Sequence, residues 1–244
     1  MKFFSDAVVI FQIQSLKVRA WLPAYLLTVV GFPIGTLYFA KALVPPGAAE
    51  ASGTQLITGA LVFGLGMAGV NMLAQGMLNE RFNSMLKLVV TSPVHPMSYV
   101  LGVVAFAVVQ GLAAGAVLLS FAPVTGTDVH LSLWLLPVLV LAALSTAGMS
   151  VIIATRAPGL EAGSMLANVF GILIVLLSPI YYPMERLPEG MQWVARLSPF
   201  THAGEAVNRI LSGEGGFLPS ALALMAITVV TTTVGIAGLR WQEE

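Results

Sequence analysis

The sequence contains no cysteine, and only 9% of its 244 residues are charged. The absence of cysteine excludes disulfide bonds and thiolate metal sites. Soluble proteins carry about 25% charged residues, so the shortage of charge excludes a soluble globular domain. Eleven basic residues balance eleven acidic ones, whereas proteins that bind nucleic acid need a basic surface. We therefore expect no nucleic-acid partner.

Motifs for nucleotide binding and catalysis are also missing. No G-x-x-x-x-G-K-[ST] loop is present, so the chain cannot hold the phosphates of ATP and hydrolyse it alone. None of the three histidines (His95, His130 and His202) lies in an H-E-x-x-H zinc motif. The Gly163-Ser164 pair lacks a histidine at matching depth in a facing apolar run that could activate the serine. We predict no catalytic, cofactor or metal site in this chain.

Apolar residues make up 57% of the sequence and fall into six runs. Each run has about 20 residues, which is enough to cross a hydrocarbon core of about 30 Å at about 1.5 Å per residue. The only charge in any run is Lys41, near the end of the first. The runs are Leu22–Leu43, Leu56–Leu78, Met97–Ala122, Leu131–Thr155, Gly163–Tyr182 and Phe217–Leu239. The sequence therefore predicts an all-α membrane protein, a single domain over residues 1–244 with six transmembrane helices.

The basic residues predict the orientation in the membrane. The two short loops that would lie outside, residues 42–55 and 123–130, contain no lysine or arginine. Lysine and arginine collect on the cytoplasmic side of membrane proteins. We therefore expect both termini in the cytoplasm and the segment between the fifth and sixth runs outside.

Residues 1–20 mix apolar and charged side chains. Placed on a helix, Phe4, Val8 and Phe11 share one side, while Lys2, Asp6 and Lys17 lie on the other. This pattern favours a helix at the membrane interface. A disordered tail is the alternative, and it would leave many bulky apolar residues in water.

The loop between the second and third runs, residues 79–96, has a polar side and an apolar side when placed on a helix. Pro93 and Pro96 end that helix before the third run begins. A turn between two spans needs only a few residues, so a loop of this length suggests a docking surface. A mere connector is the alternative.

The segment between the fifth and sixth runs is broken by prolines. Pro179, Pro183 and Pro188 prevent one straight helix, whereas Pro199 fits the first turn of a new one. Irregular backbone survives at membrane depth only where protein or a water-filled cavity covers it. The many apolar residues that follow favour a segment that re-enters the bilayer over a free outer loop. The polar residues singled out in this segment are Glu185, Arg186, Glu205 and Arg209.

Three stretches, in this order, resemble the permease subunits of type-2 ABC exporters, a class that includes small bacterial multidrug and antibiotic-resistance exporters. They are Asn79-Glu80-Arg81 with Leu86, Thr91-Ser92-Pro93 and Gly102; the segment SPIYYPMERLP at 178–188; and LSPFT at 197–201 with Glu205 and Arg209. The chain departs from the usual family residues at Asn83-Ser84, Val103, Ser198 and His202.

The resemblance implies an architecture and a set of partners. The chain would be the transmembrane subunit of an ATP-driven exporter in the bacterial inner membrane, with a re-entrant helical hairpin over residues 183–212. Two copies would work with two copies of a separate ATPase, which binds the ATP and the magnesium. That partner would dock on a coupling helix over residues 79–96, through Glu80, Arg81, Phe82, Leu86 and Lys87.

In the resembled family the second and fifth spans line the substrate path at the dimer interface. The candidates for that path are therefore Met67, Asn71, Gln75, Asn168 and Ser178. A largely uncharged path suits an amphipathic or apolar cargo, such as a drug or a lipid. Aromatic residues would stack on sugars, and few of them lie in the spans. Their scarcity argues against a glycan.

Two other functions stay open at this point. A carrier driven by an ion gradient usually needs ionisable residues within its spans, and here the spans offer mainly amides. A membrane scaffold without transport activity is the second alternative.

Overall fold

The computed structural model describes residues 2–20, 22–43, 49–83, 91, 94–182 and 184–238, and all the regular elements among them are helices. The prediction of an all-helical fold is confirmed. The α-helices are α1 Lys2–Ala20, α2 Leu22–Leu26, α3 Phe32–Leu43, α4 Ala49–Gly66, α5 Ala74–Phe82, α6 Pro96–Ser120, α7 Leu135–Arg156, α8 Leu160–Leu177, α9 Glu189–Arg196, α10 Pro199–Leu211 and α11 Leu218–Ala237.

Within the described ranges, five helical stretches are long and apolar enough to cross a membrane. They are Leu22–Ala42, Gly53–Phe82, Met97–Thr125, Leu135–Arg156 and Leu218–Ala237. They correspond to five of the six apolar runs. The run that begins at Gly163 corresponds to α8, within which the described side chains form an apolar stretch over Leu160–Leu173. The sixth span therefore stays a prediction.

Two π-helical segments interrupt the first two long stretches. The first segment, Leu27–Gly31, joins α2 to α3, and the second, Met67–Leu73, joins α4 to α5. The two segments pack against each other. Gly69 in the second segment meets α7 so closely that a Cβ atom there would lie 2.0 Å from Thr146 Oγ1. Ser150 of α7 donates a hydrogen bond to the Gly69 carbonyl. A π-helical segment changes the backbone hydrogen-bond pattern of the helix, and this side chain gives one of its carbonyl groups an additional partner.

The helix predicted over residues 1–20 is present as α1, which packs along α6. Ala7 and Ile10 are buried in this contact. A Cβ atom at Gly102 of α6 would lie 2.6 Å from the Ala7 carbonyl oxygen and 2.7 Å from Ile10 Cβ, so only glycine permits this approach. The other side of α1 exposes Phe4, Val8 and Leu16. Its position at a membrane interface stays a prediction.

Capping side chains mark where two helices begin. The His95 ring accepts a hydrogen bond from the Met97 amide ahead of Pro96, and Ser198 does the same for the Phe200 amide ahead of Pro199. Both prolines lie in a first turn, where no intrahelical hydrogen bond is lost. Ser198 therefore sets the start of α10, which is largely buried and packs against α4, α7 and α11.

Candidate functional site

Three of the predicted pathway residues, Asn71, Gln75 and Asn168, meet at one helix contact. The second π segment and α5 form one side of this contact, and α8 forms the other. The Asn71 amide donates to Asn168 Oδ1. One helical turn further along, Gln75 Nε2 donates to the Ser164 carbonyl over 3.3 Å, and Ser164 Oγ donates to Gln75 Oε1 over 2.7 Å. We call these four residues the amide ladder. From the sequence, Ser164 is only a poor candidate nucleophile. In the structure it is the hydrogen-bonding partner of Gln75.

The amide ladder lies at the edge of an uncovered apolar helix face. Asn168 is exposed, and it lies eight residues into α8, about 12 Å along the helix. The exposed apolar side chains of α8 are Met165, Leu166, Val169, Phe170, Ile172 and Leu173. An amide among such residues has hydrogen-bonding capacity that hydrocarbon cannot satisfy. The single chain therefore leaves this face incomplete.

The other two predicted pathway residues lie elsewhere. Met67 begins the second π segment, one turn before Asn71. Ser178 is buried beyond the end of α8, and its hydroxyl lies 2.7 Å from Ser198 Oγ. Ser178 thus joins the end of α8 to the start of α10, about 15 Å along the chain from Asn168 at helical spacing.

Glu80 lies near the end of α5 and is buried, with 7% of its surface exposed. Its carboxylate accepts hydrogen bonds from Gln14 Nε2 over 2.8 Å and from Tyr99 OH, and it forms an ion pair with Lys17. A buried carboxylate is tolerated when it is paired and hydrogen-bonded in this way. We call these four residues the Glu80 cluster; it joins α1, α5 and α6.

Arg81 binds the end of α7. Its Nη1 atom donates to the carbonyl oxygens of Ala154, Thr155 and Ala157, over 2.9, 3.1 and 3.0 Å. The last carbonyls of a helix have no partner within it, and a cation at that end also interacts favourably with the helix dipole. Together, Glu80 and Arg81 connect the end of α5 to three other helices.

These contacts differ from the docking role predicted for the two residues. Both polar groups are engaged within the chain, because α5 continues through Phe82 and carries Glu80 and Arg81 against its neighbours. Phe82 is 36% exposed. Leu86 and Lys87 lie outside the described residues, as does half of the coupling helix predicted over residues 79–96. Docking on this segment stays a prediction.

The proline-broken segment turns inward after α8. Ile180 is buried, and Gln55 Nε2 donates to its carbonyl over 2.9 Å. The Tyr181 ring fills a notch at Gly59, where a Cβ atom would lie 2.3 Å from the ring, and its hydroxyl lies 3.0 Å from Thr36 Oγ1. The segment that includes Pro179 is thus held by the first and second long helical stretches. Pro183 lies outside the described residues.

Two short helices, α9 and α10, follow this segment. Glu185 and Arg186 lie in a single 3₁₀ turn, and Pro188 directly precedes α9. Glu205 accepts a hydrogen bond from Ser220 Oγ over 2.8 Å, and Arg209 donates to the Gly216 carbonyl over 2.8 Å. The first contact ties α10 to the start of α11, and the second ties it to the loop that precedes α11. A re-entrant position for residues 183–212 stays a prediction.

Sequence reasoning missed Gln14, Lys17, Tyr99 and Ser164. Each one lies far along the chain from its partner, so no local spacing connects them. One signal is present in the sequence. Glu80 lies at the end of an apolar run, where a carboxylate needs a partner, and Lys17 is one of the lysine and arginine residues predicted on the same side of the membrane. Among the described residues, no group of three or more histidine, aspartate or glutamate side chains could hold a metal ion.

Comparison with known proteins gives a family and a relative. The sequence pattern of the ABC-2 type transporter family matches residues 12–211. Nodulation protein J of Sinorhizobium fredii is 29% identical over 142 residues, and this match covers 56% of the chain and 54% of the nodulation protein. The chain thus spans about half the length of that relative.

Proposed function

Because the chain belongs to the ABC-2 type transporter family, we propose that it is the transmembrane subunit of an ATP-driven exporter. It is a multi-pass membrane permease, and permeases of this family work with ATP-binding subunits. In our proposal, two copies of the chain work with two copies of a separate ATPase, which binds ATP and magnesium. The complex lies in a bacterial inner membrane with both termini of the chain in the cytoplasm.

The observation that carries the proposal is the uncovered amide of Asn168 on the apolar face of α8. An amide directed at lipid lacks partners for part of its hydrogen-bonding capacity. A second copy of the chain, with a polar path between the two, supplies those partners. The amide ladder then lies at the dimer interface and faces the cargo.

The cargo follows from the chemistry of that face. The amide ladder offers uncharged donors and acceptors, and the exposed side chains beside it are apolar, including Met165, Val169 and Phe170. Such a surface suits an amphipathic or hydrophobic molecule with neutral polar groups, such as a drug or a lipid-like compound. A strongly charged cargo would lose its hydration without a compensating charge.

The Glu80 cluster and Arg81 transmit motion in this proposal. They lie at the end of α5, in the first part of the segment over residues 79–96 on which the ATPase docks. When nucleotide-driven closure moves that segment, the contacts with α1, α6 and α7 make these helices move together with α5. The re-entrant hairpin over residues 183–212 closes the outer end of the path.

The dimer can be tested by disulfide cross-linking, because the native chain has no cysteine. Single-cysteine variants Val169→Cys and Phe170→Cys on α8 are oxidised in membranes, and Val230→Cys on the exposed face of α11 serves as the matched control. We expect cross-linked dimers for the α8 variants and little or none for the control. Equal cross-linking at all three positions, or none at α8, contradicts the proposed interface.

ATP coupling needs a second experiment, in which the chain is co-expressed with the ATPases of neighbouring genes and purified. Leu86→Asp with Lys87→Glu should abolish co-purification, because these changes alter the docking segment. Glu80→Gln should leave co-purification intact and uncouple ATP hydrolysis from transport. If the chain purifies alone and transport follows an imposed proton gradient without ATP, it is an ion-coupled carrier. If transport is absent under both conditions, it is a scaffold.

A further inference from the structure

A cavity of about 810 Å³ opens beside the Glu80 cluster, between α1, the first long helical stretch, α5 and α6. It lies within one copy of the chain and is separate from the uncovered face of α8. Pockets of this size hold small molecules or parts of larger ones. The cavity plays no part in the function proposed above.

The cavity lining is polar at the end near the Glu80 cluster and mainly apolar further in, where Gln110, whose Nε2 lies 4.0 Å from Met72 Sδ, is a polar exception. Lys17, Asn79 and Asn83 lie at the end near the Glu80 cluster, and Met72 and Phe106 lie further in. Asn79 and Met72 are seven residues apart, about 10 Å along their helix. In the proposed orientation the polar end lies at the level of the inner-leaflet headgroups and the apolar end at the level of acyl chains. An amphiphile standing parallel to the helices matches this order.

The polar end favours a negatively charged headgroup. The Glu80 carboxylate already accepts from Gln14, Lys17 and Tyr99. An ammonium has three N–H donors, and the Lys17 side chain is 39% exposed despite its ion pair. Lys17 therefore keeps N–H donors that a headgroup at this end of the cavity can use. A phosphate group accepts from these donors in charge-assisted hydrogen bonds.

One glycine keeps the cavity open. Gly76 of α5 lines it, and a Cβ atom there would meet nothing within 4 Å. A glycine inside a helix costs about 1 kcal/mol relative to alanine. Since no atom lies within 4 Å of that Cβ position, a larger side chain can be placed there without a clash. Such a side chain would occupy part of the cavity.

We propose that this cavity binds one anionic phospholipid of the inner leaflet, with its phosphate at Lys17 and part of an acyl chain against Met72 and Phe106. The apolar wall distinguishes this ligand from free phosphate, which would gain nothing there. The proposal rests on the proposed membrane orientation and not on transport activity. The lipid would bind each copy of the chain whether or not an ATPase is present.

The test counts phospholipid that stays bound to the purified chain. The chain is reconstituted in nanodiscs containing equal amounts of phosphatidylglycerol and phosphatidylcholine, released into detergent and analysed by native mass spectrometry. Gly76→Leu places a bulky side chain in the cavity. Gly35→Leu is the matched control, because Gly35 is also an exposed helical glycine with nothing within 4 Å of its Cβ position and does not line the cavity.

We expect one phosphatidylglycerol per chain in the native protein and in Gly35→Leu, and an occupancy lower by about tenfold in Gly76→Leu. Gly76→Ala, which adds one methyl group, should fall between them and can be read even if Gly76→Leu fails to fold. Equal retention of phosphatidylcholine, equal occupancy in all variants, or no retained lipid in the native chain overturns the proposal. The transport assays above do not enter this readout, so either proposal can fail alone.

Discussion

The Glu80 cluster and the amide ladder are both polar groups inside an apolar bundle, but the Glu80 carboxylate is buried among its partners, whereas the Asn168 amide is exposed. Glu80 is buried and has three partners from two neighbouring helices. Asn168 is exposed, although its amide neighbour Asn71 is in place. A satisfied cluster holds helices in one arrangement, whereas an unfinished one needs another molecule. This difference is the basis for the mechanical role that we propose for the first and the binding role that we propose for the second.

The largest effect should come from removing the cation of the Glu80 cluster. In Lys17→Met the buried carboxylate keeps only Gln14 and Tyr99 as partners. Breaking a buried ion pair from one side costs about 3–5 kcal/mol, and the partial exposure of Lys17 places the expected loss of unfolding free energy near the lower limit, about 3 kcal/mol. Thermal or denaturant unfolding in detergent measures it.

Two further variants test whether the pair itself is responsible. Arg19→Met removes a cation from an exposed position on the same helix, and we expect a change below about 0.5 kcal/mol. Adding Glu80→Gln to Lys17→Met removes the uncompensated charge and should recover at least half of the lost stability. A double variant as unstable as the sum of the two single variants would show that the charge pair is not the cause.

A smaller effect is expected for Arg81→Gln. This change removes a charged donor from three carbonyl groups at the end of α7. Hydrogen bonds to charged groups contribute about 1.5–3 kcal/mol, and we expect a loss of about 2 kcal/mol. Arg81→Lys should recover part of it, since lysine keeps the charge but lacks the planar fork. Hydrogen exchange should rise in the last turn of α7; unchanged exchange there contradicts the capping role.

The sequence predicts the long helices well, because a helix that crosses the hydrocarbon core needs a run of about 20 apolar residues. The sequence predicts the first run over Leu22–Leu43, and the helical stretch covers Leu22–Ala42; it predicts the second over Leu56–Leu78, and the stretch covers Gly53–Phe82. The second stretch is longer at its end because Glu80 and Arg81, which look like loop residues, find partners that keep them in the helix.

The partners themselves could not be predicted. Gln14 and Lys17 are 66 and 63 residues from Glu80 in the chain, and no periodicity connects positions so far apart. The π segments were also missed, since the sequence LTVVG at Leu27–Gly31 is indistinguishable from ordinary apolar helix. The amide ladder was predicted in part: the spacing of Asn71 and Gln75 indicates a shared face, but the pairing with Ser164 depends on how α8 packs.

The smallest effect on stability should come from the amide ladder. There we expect a clear loss of transport with only a small loss of unfolding free energy. Hydrogen bonds between membrane helices average about 0.6 kcal/mol, so Asn71→Leu should change the unfolding free energy by less than about 1 kcal/mol. Transport should nevertheless fall, because leucine removes the amide from the proposed path. Ser120→Ala is the control, since that hydroxyl is exposed and bonds within its own helix. A large loss of stability in Asn71→Leu would make the ladder a structural clamp like the Glu80 cluster, and unchanged transport would remove it from the path; either result abolishes the distinction between the two regions.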